Sequence, residues 1–180
     1  MNEKTHFTTV DIALIGVFSA LWATLNMTIG RLGFTWFNLP IFCDFAVFFT
    51  LLLTVWIVGK FGAASIVGVI GAIIYMLILP STHIIGFTIS SVLFDALMLA
   101  SGHRINLKIY DMAIAAIATA ISAYFAGVVI GTIFMSRPIE WALTFWGGWH
   151  LIGGLIGVVV TLPIISVLER ANVRRIKGVQ

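Results

Sequence analysis

The residues of this 180-residue chain best able to hold a ligand are its tryptophans, histidines and acids, and their spacing gathers many of them into three segments. Trp36, Asn38 and Asp44 form the first group, with Asn26, Arg31, Phe34 and Phe37 beside them. Thr82 and His83 form the second, and Tyr75 lies one to two helical turns before them. Arg137, Glu140, Trp141, Phe145, Trp146, Trp149 and His150 form the third. Aromatic walls with a few fixed polar groups suit a flat, polar heterocycle, because stacking supplies affinity and hydrogen bonds supply orientation. Glu140 or Asp44 would favour a cationic ring, with indole faces adding cation–π attraction. The competing account is an aromatic belt at the membrane surface. A belt is two-sided, whereas four of the six tryptophans fall in these segments, leaving Trp22 inside the first apolar block and Trp56 toward the other end.

Other chemistry is thinly provided. His83 and His150 could share a metal, but no third ligand accompanies them, so no metal is expected. The lone Cys43 leaves no internal disulfide and fits no metal motif. Zinc-protease, nucleophile-elbow, nucleotide-loop and paired-cysteine motifs are all missing from the sequence, so no cofactor is implied and the chain is not expected to be an enzyme. Without a nucleotide site it cannot drive transport by itself.

These groups must be positioned by elements made for lipid. The chain is 61% apolar and 9% charged, with a mean hydropathy of +1.12. A soluble domain of this size has too few polar residues left to cover such a load. Six apolar blocks, at about residues 9–30, 40–59, 61–79, 86–101, 109–135 and 148–168, approach the ~20 helical residues that cross a bilayer core. Gly30, Gly33, Pro40, Gly59, Gly62, Pro80, Gly102, Pro138 and the pair Gly147–Gly148 mark the breaks. The expected fold is all-α: one integral membrane domain over residues 1–180, a six-transmembrane-helix bundle. Lys4, Lys60, Arg104, Lys108, Arg170, Arg174, Arg175 and Lys177 fall on one side of such a bundle, Arg31 and Arg137 on the other. That split predicts two cytoplasmic termini in the plasma membrane, with the three aromatic segments outside. The basic balance thus reflects topology, and no nucleic-acid partner is expected.

Small residues supply possible contact faces. Ala13, Gly16, Ala20 and Ala23 share one face of the first block, where close helix association in lipid is favoured, either within the bundle or with a second membrane protein. The fifth block carries a longer run from Ala113 to Gly131. Asp95, inside the fourth block, is an ionisable group at expected membrane depth, either functional or engaged in an interhelical hydrogen bond. Asp11 and Asp111 open helices, where a carboxylate suits the dipole.

Six short spans, both ends inside and an elaborated first outer loop resemble the substrate-binding S-component of energy-coupling factor (ECF) vitamin transporters. The face formed by Ala13, Gly16, Ala20 and Ala23 is similar to the small-residue surface by which such components dock their coupling subunit, although its first step is three residues, not four. Lys60-Phe61-Gly62-Ala63-Ala64, and Asp95-Ala96-Leu97-Met98-Leu99-Ala100 leading to His103-Arg104, resemble the hydroxymethylpyrimidine/thiamine type, which has Glu in place of Asp. The resemblance implies capture of a vitamin outside, association with a transmembrane coupling subunit and a pair of cytoplasmic ATPases, and toppling in the membrane to release cargo inside. The residues alone leave two alternatives: a small membrane enzyme using outer-face His and Glu, and an assembly subunit without a ligand.

Overall fold

The structure, a computed structural model, describes residues 7–106 and 108–173. It is all-helical, with no strand among the described residues. Six helices follow in order: α1 Thr9–Phe37, α2 Ile41–Val58, α3 Ala63–Ile78, α4 Ile84–Ser101, α5 Ile109–Phe134 and α6 Ile139–Arg170. Five are long and apolar enough to cross a membrane. At 16 residues, α3 is shorter, about 24 Å by helical rise. Lys4, Arg174, Arg175 and Lys177, half of the larger charge group, lie outside the described residues.

Local chemistry sets the ends. Thr8 and Asp11 form a reciprocal capping box at the start of α1, and Lys60 Nζ closes on Asp11 Oδ2 at 2.6 Å. At the other end of α1, Asn38 takes a left-handed φ of 53° and donates its N–H to Phe34 O at 2.8 Å. Gly59 ends α2 at φ 63°, and Gly62 admits the chain to α3 at φ 90°, a region open to glycine at little cost.

Two boundaries differ from the sequence expectation. The glycines at 30 and 33 do not end α1, and the pair Gly147–Gly148 does not open α6. Gly33 is needed for contact instead, because a Cβ there would press into the ring of Phe42. At Gly147 a Cβ would stand 2.9 Å from the Tyr124 ring. Both glycines permit close packing inside a continuing helix. Arg31, Phe34, Trp36 and Phe37 are therefore helical, and the connection before α6 shrinks to residues 135–138.

Small residues also bring the long helices together. α6 packs most extensively on α2 and α5. A Cβ on Gly153 would meet Ile41 O at 2.5 Å, and one on Gly127 would meet the His150 ring at 2.8 Å. The α1 face divides differently. Ala23 is buried, but Ala13, Gly16 and Ala20 are exposed, and a Cβ at Gly16 would meet nothing within 4 Å.

The two ends of the bundle have different characters. The end holding Asp11, Lys60, Asp95, His103 and Glu169 is tied by polar contacts, including Trp56 Nε1 to Glu169 Oε1 at 3.1 Å. The opposite end holds a cavity.

An aromatic cavity as the candidate functional site

Every helix, or the connection beside it, sends residues to a cavity of about 450 Å³ at the end opposite Asp11, Lys60 and Glu169. Asn26, Arg31, Phe34 and Thr35 come from α1; Pro40 and Cys43 come from the start of α2. Tyr75, Ser81 and His83 line it from α3 and the following connection, and Phe87 from α4. Ile130 and Met135 enter from α5 and its end, Trp146 and His150 from α6. Arg31, Phe34 and Thr35 are exposed and mark the mouth, while His150 lies deep at 1% exposure.

Three π-helical turns surround this cavity: Asn26–Gly30 in α1, Ile130–Phe134 in α5 and Ala142–Trp146 in α6. Each wraps one extra residue into the turn, a device frequent at functional sites. Each contributes a wall residue, namely Asn26, Ile130 and Trp146.

A chain of rings builds one wall. Trp141 stacks on Trp146 with centroids 5.2 Å apart and 19° between planes. Trp146 meets His150 at 5.6 Å and 65°, and the edge of Phe34 at 6.4 Å and 85°. His150 in turn contacts Phe87 at 5.6 Å. Arg137 sits 5.7 Å from the centre of the Trp141 ring, so that indole already has a cation.

Beneath the wall, His150 Nδ1 lies 2.8 Å from Oδ2 of the fully buried Asp44. The pair stands at ion-pair distance but out of line for a directed hydrogen bond, and the other ring nitrogen, His150 Nε2, has no hydrogen-bond partner among the described residues. Trp146 Nε1 and Asn26 Oδ1 are also unpartnered. Buried polar atoms normally find partners, and these three, each without accessible surface, belong to residues that line the cavity. His83 receives support from Ser81, with Oγ to Nδ1 at 2.6 Å. Burial, and secondarily the neighbouring His150, hold the His83 imidazole below its usual pKa, so it is neutral near pH 7.

Of the ten residues expected at the ligand, Tyr75, His83, Trp146 and His150 line the cavity, and Asp44 supports it through His150. Trp141 backs Trp146 instead of reaching the wall. Trp36 is 72% exposed, Glu140 is exposed, Trp149 contacts Phe145, and Asn38 serves as the cap of α1; none of the four lines the cavity. Cys43, Phe87, Ile130 and Met135 escape sequence reasoning, because an apolar side chain on a lipid-type helix gives no sign of facing a cavity.

Asp95 lies at the other end. Its Oδ2 accepts from Gly62 N at 2.9 Å, Ser65 N at 3.0 Å and Ser65 Oγ at 2.7 Å, while Oδ1 faces His103 Nε2 at 3.0 Å. The carboxylate thus caps α3 from a neighbouring helix, which is the interhelical hydrogen-bonding alternative. Among the described residues, no group of three or more His, Cys, Asp or Glu side chains could hold a metal ion.

The fold and site define a helical bundle of membrane type with an aromatic-lined cavity open at one end. Comparison with protein-family models, curated proteins and solved structures finds no match.

Proposed function

We propose that this chain is the substrate-capture subunit of a membrane importer, an S-component of the ECF type, which holds a water-soluble heteroaromatic of vitamin class in its cavity. The observation that carries the reading is the 450 Å³ cavity lined by Phe34, Tyr75, Phe87, Trp146 and His150, with Arg31 at its mouth. A cavity of that size suits one small heterocycle. The charge split supports an orientation with both termini cytoplasmic and the cavity opening outward in the plasma membrane. The exposed strip Ala13, Gly16 and Ala20 supports docking of a coupling subunit, which would bring a pair of cytoplasmic ATPases and the energy for release. Binding alone is this chain's task, with no catalysis.

The direct test is to purify the full chain in detergent and identify by mass spectrometry what leaves it on denaturation. A stoichiometric heteroaromatic, displaced from the Trp146→Ala variant, is the expected result. Protein that carries no small molecule and binds none from a panel of vitamins and precursors would remove the capture reading.

Docking makes a separate prediction. Gly16→Leu should leave ligand affinity unchanged yet abolish uptake in cells containing the coupling subunit and ATPases, because a bulky side chain holds the two proteins apart. Normal uptake by folded Gly16→Leu protein would mean that this face meets only lipid.

A further inference from the structure

The cavity's lining is uneven in charge as well as in shape. We infer that the site takes a flat aromatic molecule carrying an acidic group, a carboxylate or phosphate, and disfavours a cation of the same shape. This rests on the capture reading above. Among the described residues, Arg31 is the only permanently charged one on the wall, and it stands exposed at the mouth. Its guanidinium offers paired donors that match carboxylate or phosphate.

The two carboxylates at this end give a cation nothing to bind. Asp44 is fully buried and off the wall, with His150 on the cavity side of the pair. Glu140 is exposed and also off the wall. At Trp146, the best cation–π ring on the wall, one face is already taken. Trp141 covers one face of Trp146 and itself lies against Arg137. A cationic thiazolium therefore fits this wall worse than a carboxylated or phosphorylated ring.

Benzoate, benzamide and benzamidine test this, being near-isosteric and charged −1, 0 and +1. The full chain in phosphate-free maltoside detergent at low salt would be titrated with each while tryptophan fluorescence is followed. Benzoate should bind roughly tenfold tighter than benzamidine, with benzamide between. In Arg31→Gln that ratio should fall to about twofold or less, and Arg31→Lys should restore part of it. Three outcomes overturn the inference: benzamidine binding tightest, a benzoate preference that survives Arg31→Gln, or no binding of any probe. Repeating the titration in phosphatidylglycerol nanodiscs separates a free ligand from a lipid headgroup. Loss of the benzoate preference there would assign Arg31 to headgroup phosphate and overturn the inference as well. Ring binding without charge order leaves capture standing, whereas capture itself fails only if purified protein neither carries nor binds a small molecule.

Discussion

Trp146→Ala will weaken binding of the captured ligand by about 1–3 kcal/mol, roughly a 5- to 150-fold rise in Kd. Trp146 is the junction of the cavity wall, 5% exposed, stacked on Trp141 and in edge contact with Phe34 and His150. Truncation removes the stacking surface, the unpartnered indole N–H and the brace that holds the His150 ring. Trp146→Phe should recover part of the loss by keeping a ring while lacking the donor. Trp36→Phe and Trp149→Phe should leave Kd unchanged, since neither residue lines the cavity. Titration calorimetry with the co-purified molecule reads all four. Losses at Trp36 equal to those at Trp146 would place the ligand outside the cavity, and unchanged affinity for Trp146→Ala would reduce the ring chain to membrane anchoring.

Asp95→Ala will destabilise the bundle by about 3–5 kcal/mol without changing Kd in the protein that remains folded. The substitution strands Gly62 N–H, Ser65 N–H and the Ser65 hydroxyl, and takes from His103 Nε2 its carboxylate partner while leaving the backbone carbonyl of residue 95 at 2.9 Å. Each buried donor left unmet costs about 1–3 kcal/mol, less where water reaches it. Asp95→Asn should fall between, since its amide retains one acceptor oxygen. Denaturation in mixed micelles measures the stability, and ligand titration measures the function. A variant of normal stability that no longer binds ligand would make Asp95 a functional group instead of a cap.

The helical bundle was legible because lipid leaves so few ways to satisfy a backbone, and long apolar blocks then admit one reading. Helix ends were harder. Glycine breaks helices in water-exposed turns, but in a membrane bundle it also lets neighbours approach, as Gly33 does beneath Phe42 and Gly147 beneath Tyr124. Two glycine marks were thus read as ends where the helix continues. The site divides along the same line. Tyr75, His83, Trp146 and His150 stand out among apolar neighbours and were found. Asn38 and Glu140 stand out equally, yet one caps a helix and the other faces outward. Arg31 and Phe34 were seen at the right end but assigned to a loop, and only their helical placement sets them at the mouth. Nothing in the sequence separates Phe87 or Ile130 from a side chain facing lipid.

The π turns carry a consequence that concerns phase. A helix is a screw that advances by about 100° per residue, so its first turn normally dictates which way its last turn points. An extra residue at Asn26–Gly30, Ile130–Phe134 and Ala142–Trp146 breaks that bond between distant turns. Below each slip, the azimuth of side chains answers to the neighbouring helices; above it, to the cavity. One continuous helix can therefore obey two masters, a shaft and a rim indexed independently. Removing a single residue from one of these turns would leave a regular helix while rotating Arg31, Trp146 or their neighbours out of alignment. The shape of this cavity is thus encoded in the angular offset of the helices as well as in the side chains they bear.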